Sequence, residues 1–215
     1  MSELHIETIV TGPLSTNSYV VWTETETGDK PCWLFDVSLW PGNLIEFLHQ
    51  RELTPTHLFV THGHGDHIGG VGDVLENFPD VKFCCPEKDI EMLSDPELNL
   101  SGFFMLHLTA PAPAIVVNPG MEFQLGDLTW KVLDTAGHTL GGVSYYCESE
   151  GVVFTGDALF NRSVGRTDIP NGSHETLVSN IRKNLLTLPG DTVVYPGHRF
   201  ATTIEEERDF NPVLK

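Results

Sequence analysis

Positive charge is what this sequence of 215 residues has least of: 12 lysines and arginines stand against 30 aspartates and glutamates, a formal charge of −18. Nucleic-acid binding depends on clustered Lys and Arg that neutralise phosphates, so the balance argues against such a partner. Anionic small molecules stay open, because a metal ion or a local cation reverses the field inside a pocket. Cysteine is also scarce. Cys32, Cys84, Cys85 and Cys147 are too few and too scattered for a disulfide framework, form no C-x-x-C pair, and read as reduced core residues. No apolar run approaches the roughly 20 residues that span a bilayer. The opening "MSELHIETIV" has neither the basic nor the long apolar region of a secretory leader. The expectation is a soluble, cytoplasmic protein without a membrane partner, and the sequence leaves its oligomeric state open.

What is present alternates between strand-like and helix-like segments. "LHIETIV", "SYVVW" and "CWLFDV" carry the β-branched and aromatic residues of strands, separated by turn-forming stretches. "PGNLIEFLHQRE" has helical spacing, "HLFV" is a short buried strand, and "HIGGVGDVLENF" reads as one helix stopped by Pro79. "VKFCC" is a further strand, with a short acidic helix from Glu87 to Leu93 after it. The second half adds the strands "MEFQLG", "LTWKVLDT", "GVSYYC", "GVVFTGD" and "TVVYPGH", and a helix from His174 to Leu188. Runs of strands followed by helices suit two sheets with helices outside, within an α/β class and a single domain over 1–215. Residues 94–120 are the least regular part, and long loops are often functional. Phe103, Phe104 and Met105 in that segment either line a cleft or, on the plainer reading, form a small satellite core beneath the loop.

The densest chemistry is "THGHGDH", Thr61 to His67, directly after "HLFV". In extended backbone, side chains two apart share a side, so His62 and His64 aim into one space, and Asp66 and His67 reach it from the start of the next helix. Three other places repeat a local design: an apolar strand, a glycine, then a metal-capable residue. They deliver His138 from "WKVLDTAGH", Asp157 from "VVFTGD" and His198 from "TVVYPGH". Five imidazoles and two carboxylates are ordinary zinc donors and suffice for two ions, and a carboxylate such as Asp157 has two oxygens with which to bridge them. His5, His49, His57, His107 and His174 have no such context.

Taken in order, "THGHGDH", "TAGH", "TGD" and "PGH" resemble the metallo-β-lactamase-fold superfamily over nearly the whole chain. The resemblance implies a four-layer αβ/βα sandwich with a dinuclear site at one edge of its sheets. It would place His62, His64 and His138 on one divalent ion and Asp66, His67 and His198 on the other, with Asp157 shared. Zinc is the expected metal, with iron or manganese as alternatives. Asp36 in "LFDVS" matches an aspartate the family places near its site, as support for a ligand or as a plain strand-end turn residue.

"FTGDALFNRSVGRTDIPNG" and "YPGHRFATTIEEERDFNP" further resemble the short, single-domain glyoxalase II-like hydrolases. That likeness implies a small-molecule thioester substrate such as S-lactoylglutathione or another thiol conjugate. Water held between two ions is acidified from a pKa of 15.7 toward about 7. The resulting bridging hydroxide would attack the thioester carbonyl, with Asp66 orienting it, and the departing thiolate, of parent pKa about 8.5, leaves without a strong acid. Arg162, Arg166 and Arg199 lie near the donor segments, and Arg166 in "GRTD" is the leading candidate to hold an anionic tail. The extra C-terminal helical domain of full-length glyoxalase II has no counterpart after His198. "GRTD", "LPGD" and "EEERDFNP" also resemble the single-iron persulfide dioxygenases, although Val164 stands before "GRTD" where a cysteine is expected in that family. Lactone hydrolysis is a third possibility.

Overall fold

The computed structural model describes residues 3–25 and 28–215. Six strands form the first sheet in chain order: β1 (Leu4–Thr11), β2 (Thr16–Thr23), β3 (Pro31–Phe35), β4 (Thr54–Phe59), β5 (Lys82–Pro86) and β6 (Ile115–Val117). The first three pair antiparallel, and β3 through β6 run parallel. Parallel neighbours require crossovers, and the helix α1 (Gly42–Gln50) supplies the one between β3 and β4. The segment between β4 and β5 holds α2 (Gly65–Ile68) and α3 (Val71–Asn77).

The second sheet contains β7 (Glu122–Leu125), β8 (Leu128–Asp134), β9 (Val143–Cys147), β10 (Val152–Gly156), β13 (Val193–Pro196) and β14 (Thr202–Thr203), in the order β14-β13-β10-β9-β8-β7. A small hairpin, β11 (Leu159–Phe160) with β12 (Ser163–Val164), follows β10. The helix α4 (His174–Asn180) continues as a π-turn over Ile181–Leu185, and α5 (Ile204–Phe210) closes the chain. Ser173 caps α4 by accepting from the Thr176 amide at 3.3 Å, an arrangement worth about 1 kcal/mol.

Strand periodicity divides the core into layers, because successive side chains face opposite sides. Tyr19, Trp33, Phe35 and Phe59 meet Trp130, Tyr145 and Phe154 between the sheets, where the Phe35 and Phe154 rings stack at 4.4 Å. Their neighbours Val20, Leu34 and Leu58 face the other way, onto Leu44 and Leu48 of α1 and Val71 and Val74 of α3. On the far side of the second sheet, Tyr146, Val153 and Val194 pack on Leu177, Ile181 and Ile204. The result is the expected four-layer αβ/βα sandwich. All four cysteines are buried and unbridged, two in the inter-sheet core and two under the helices.

Two expectations need correction. "HIGGVGDVLENF" is not one helix: it breaks at Gly69 and Gly70, where a β-carbon on Gly70 would lie 2.3 Å from the Ser38 carbonyl oxygen. The Gly70 amide donates to the Val37 carbonyl at 2.9 Å, so the chain turns to let the β3 exit pass. The aromatic group in 94–120 is not a satellite core either. Phe103, Phe104 and Met105 are exposed around a short 3₁₀ turn, Ser101–Phe104, beside an open cleft. The segment also contributes β6, which its proline content concealed.

Candidate metal centre

Strand direction gathers the donors. β8 and β10 each run antiparallel to β9, and β13 runs parallel to β10, so the C-terminal ends of β8, β10 and β13 share one edge of the second sheet. The exit from β4 joins that edge: the Val143 amide donates to the Thr61 carbonyl at 2.9 Å, and the Tyr145 hydroxyl to Val60 at 2.9 Å. His138, Asp157, His198 and the "THGHGDH" loop are thereby delivered to one place.

The glycine before each isolated donor has a spatial reason. A β-carbon on Gly197 would fall 2.3 Å from Asp157 Oδ1 and 2.8 Å from His67 Cε1, inside the donor cluster itself. On Gly156 it would meet Thr61 Oγ1 at 2.1 Å, and on Gly137 the Leu177 amide nitrogen at 2.3 Å. Close approach of neighbouring backbone and donors, as much as backbone freedom, sets the strand–glycine–donor pattern.

All seven expected donors converge. His62, His64 and His138 form one group, with ring centroids 4.6–4.9 Å apart. Asp66, His67 and His198 form another, in which Asp66 Oδ2 lies 3.2 Å from His198 Nε2 and 3.5 Å from His67 Nε2. Asp157 stands between them: its Oδ2 is 3.6 Å from both His138 Nε2 and His198 Nε2, and its Oδ1 is 3.4 Å from His67 Nε2. The Nε2 atoms of His62, His64, His67 and His138 and Asp157 Oδ1 are buried without a hydrogen-bond partner. Native interiors rarely leave so many polar atoms unpaired in one space, and a cation among them satisfies every one. The cluster is a metal-binding one.

The outward nitrogens are held. Thr61 Oγ1 donates to Asp36 Oδ2 at 2.8 Å, so its contact of 3.0 Å with His62 Nδ1 must receive the imidazole proton. His138 Nδ1 donates to the Arg166 carbonyl at 2.7 Å. Both bonds leave Nε2 as the free donor facing the cluster, the usual way a carbonyl or carboxylate fixes a ligand's tautomer. Asp36 sits at a left-handed φ of 51° immediately after β3. There its Oδ1 accepts the Thr61 amide at 2.7 Å, and Oδ2 lies 3.1 Å from His67 Nδ1, close but outside hydrogen-bond angles. Asp36 therefore supports two donors from behind.

Charge on the cluster follows burial and proximity. Burial first, then the surrounding imidazoles, holds His62 well below its ordinary range and pushes His64 down to about 3. Burial also opposes a charge on His67, but Asp66, Asp36 and Asp157 together override it and raise that imidazole. His198 is likewise raised, its burial outweighed by Asp66 and Asp157. Burial disfavours the carboxylates of Asp66 and Asp157, yet His67 above all holds both below the ordinary range. His62 and His64, neutral beside ionised carboxylates, are in the state that metal binding requires, whereas His67 and His198 would give up a proton to an incoming cation.

Several residues that matter here carried no sequence signal. Asp89 lies in the 3₁₀ helix Glu87–Leu93 and is fully buried. Its carboxylate accepts from the Gly63 amide at 3.0 Å, the Thr139 hydroxyl at 2.6 Å and the Gly141 amide at 2.7 Å. Burial raises its pKa against the pull of those three donors. Thr16 donates to Asp66 Oδ2 at 3.0 Å, and Asn17 Nδ2 ties down the carbonyls of Pro196 and Arg199 around His198. These are ordinary polar residues at the start of β2 and in an acidic helix, and only contacts across the fold give them a role.

The cleft above the donors has a volume of about 1050 Å³ and reaches His64, Asp66, His138, Asp157 and His198. Arg166 lines it as expected, but its guanidinium is paired bidentately with Asp168 at 2.9 and 3.0 Å. Arg162 is turned away, bound to Glu206 and stacked on Phe210. Arg199 lines the cleft with no ion-pair partner among the described residues.

Comparison with known proteins matches residues 11–198 to the metallo-beta-lactamase superfamily. The probable metallo-hydrolase YqgX of Bacillus subtilis is 35% identical over 94% of this chain and 94% of its own. Hydroxyacylglutathione hydrolase GloC of Haemophilus influenzae is 31% identical over 98% of both chains. Among solved structures, the BLEG-1 B3 metallo-beta-lactamase superimposes with a TM-score of 0.91 at 36% identity, over 98% of this chain and 100% of that one. TTHA1623 in a di-iron-bound form gives 0.82 at 32%, over 96% and 98%. ETHE1 from Myxococcus xanthus gives 0.76 at 30%, over 98% and 84%.

Proposed function

The chain belongs to the metallo-beta-lactamase superfamily of metallo-hydrolases, and on that premise we propose that it hydrolyses thioesters in the manner of a hydroxyacylglutathione hydrolase. The observation that carries this reading is the convergence of seven donors in two groups joined by Asp157, at the floor of an open cleft. The likeness to the GloC relative runs over 98% of both chains, which supports this reading.

His62, His64 and His138 would hold one divalent ion and Asp66, His67 and His198 the other, with Asp157 on both. Imidazole and carboxylate donors suit zinc, and iron and manganese satisfy them as well. A metal pair bound there supplies a Lewis acid and a water acidified toward a pKa of about 7. The protein's own part is positional. Asp66, ionised and fixed by Thr16, would present an acceptor at the cleft floor that orients the attacking water. In the overall reaction a water oxygen bonds to the acyl carbon, the carbon–sulfur bond breaks, and a carboxylate, a thiol and one proton result. A thiolate of parent pKa about 8.5 leaves without a strong general acid.

A second reading, oxygen chemistry on a persulfide, has the ETHE1 likeness behind it. Against it stand Val164 at the expected cysteine position and a second complete donor group that a single iron does not use. The experiment is thiol release from S-lactoylglutathione by zinc- and iron-loaded protein, with and without chelator, beside oxygen uptake on glutathione persulfide. Chelator-sensitive thiol release is expected. Turnover that survives metal removal, or oxygen uptake without thiol release, overturns the proposal.

A further inference from the structure

Thioester cleavage at the donors does not account for the walls above them. Leu14, Trp40, Phe104, Leu106, Leu108 and Phe200 make those walls, and Trp40 and Phe200 are 70% and 83% exposed. Scattered exposed apolar residues are ordinary, but several large ones around one concave opening mark a binding surface. Three polar side chains in the same wall, Asn99, Ser101 and Asn17, are already engaged within the protein. Asn99 Nδ2 donates to the carbonyls of Met92 and Leu108, Ser101 Oγ accepts from the Leu108 amide, and Asn17 Nδ2 is bound to Pro196 and Arg199. Of the two arginines lining the cleft, Arg166 is paired with Asp168 and Arg199 has no ion-pair partner among the described residues.

The rim is also built with backbone strain. Trp40, Leu100 and Arg199 stand at left-handed φ values of 56°, 64° and 68°. Side chains with a β-carbon persist there only when their surroundings impose it, and such residues cluster at ligand sites. Their backbone conformations at the cleft mouth are therefore imposed by the fold.

We infer that the site takes thioesters whose acyl group is an extended apolar chain or ring, with one anionic group on the thiol arm paired to Arg199. This rests on the thioester reading above and narrows it. A lactoyl group is short and hydroxylated, and covers little of the apolar wall in a cleft of about 1050 Å³. Glutathione carries carboxylates and an ammonium together, whereas the wall offers one uncommitted guanidinium. An apolar acyl group instead removes the wall from water along with itself, which is where the affinity comes from.

The test separates ligand class from reaction. Inert S-methyl to S-hexyl thioethers of mercaptoacetate are titrated calorimetrically into metal-loaded protein. In parallel, kcat/KM is measured for acetyl, lactoyl, hexanoyl and benzoyl thioesters of mercaptoacetate, of neutral N-acetylcysteamine and of glutathione. Affinity should rise with chain length, at most about fourfold per buried methylene, with hexyl at least tenfold tighter than methyl. Phe200→Ser should flatten the series, and it alters an exposed position that the fold does not rely on. Arg199→Gln should weaken mercaptoacetate ligands several-fold and leave neutral ones unchanged. Affinity that is flat or falls with chain length overturns the inference, as does an Arg199→Gln effect equal on charged and neutral ligands. Brisk cleavage of S-lactoylglutathione beside a flat series upholds the hydrolase and rejects the apolar class. The expected binding order without cleavage of any thioester upholds the ligand class and rejects the hydrolase.

Discussion

Asp89 and Gly63 are joined by a hydrogen bond of 3.0 Å from the glycine amide to the buried carboxylate, and that one bond reaches between His62 and His64 of the first donor group. The same carboxylate holds Thr139 and Gly141. The loop that carries His62 and His64 is thus tied to the loop that carries His138. No other buried carboxylate among the described residues accepts from both loops.

Asp89→Ala should therefore do two things. Unfolding free energy should fall by roughly 3 kcal/mol, since three donors lose a charged acceptor. Metal affinity should drop about 10- to 100-fold, the usual effect of removing support behind a ligand. Urea unfolding of the metal-free protein and competition with a chromogenic chelator read the two separately. Unchanged metal affinity in the variant would show that the tie is structural only.

Asp157 is the joint between the groups. Asp157→Ala should lower the metal content per chain from two to one or none, and thiol release should disappear with it. Elemental analysis beside a thiol assay checks this. Two metals retained with full turnover would rule out a bridging carboxylate.

Two glycines make opposite predictions. Gly197→Ala places a methyl group 2.3 Å from Asp157 Oδ1, so metal binding should collapse even if the sheets still form. Gly72, in α3, has open space around its α-carbon, and Gly72→Ala should raise stability by about 0.4–1 kcal/mol. Metal titration and thermal melting of the two variants decide it, and equal behaviour would contradict the crowding argument.

The metal-free protein should be sensitive to acid. His62 and His64 bind protons less readily folded than unfolded, His64 at about 3 against 6.5, so stability falls as the pH drops below 6.5 and continues to fall toward 3. Asp66 and Asp157 act in the same sense: their contribution is present above 3.8 and is lost as the pH falls through their lowered values. His67 and His198 run the other way, with a contribution complete below 6.5 that is lost as the pH rises through their raised values. Melting temperature after chelation should decline between pH 6.5 and 4, and His64→Asn should decline less steeply. Parallel slopes for the two proteins would show that His64 is not the source.

The donors were readable in the chain because their signals are local. Alternation set His62 and His64 on one side, and a repeated glycine announced His138, Asp157 and His198. Strand runs such as "CWLFDV" and "GVSYYC" appear where expected, since their β-branched and aromatic content needs no knowledge of the partner sheet. The failures share a cause. The break at Gly70 answers to the Ser38 carbonyl, and Asp89 acts on residues across the fold, relations that leave no trace in nearby sequence.

The sequence alone determined the candidate donors, the sandwich of two sheets and the family. Each of these depends on residue type and short-range spacing. Tertiary structure alone decided that Arg166 is engaged by Asp168 while Arg199 has no ion-pair partner among the described residues, that Phe104 of the 94–120 segment lines a cleft, and that Thr61, Asp36 and Asp89 hold the donors from behind. Such pairings depend on which segments the packing brings within about 3 Å, the reach of a hydrogen bond, and chain order does not record that distance.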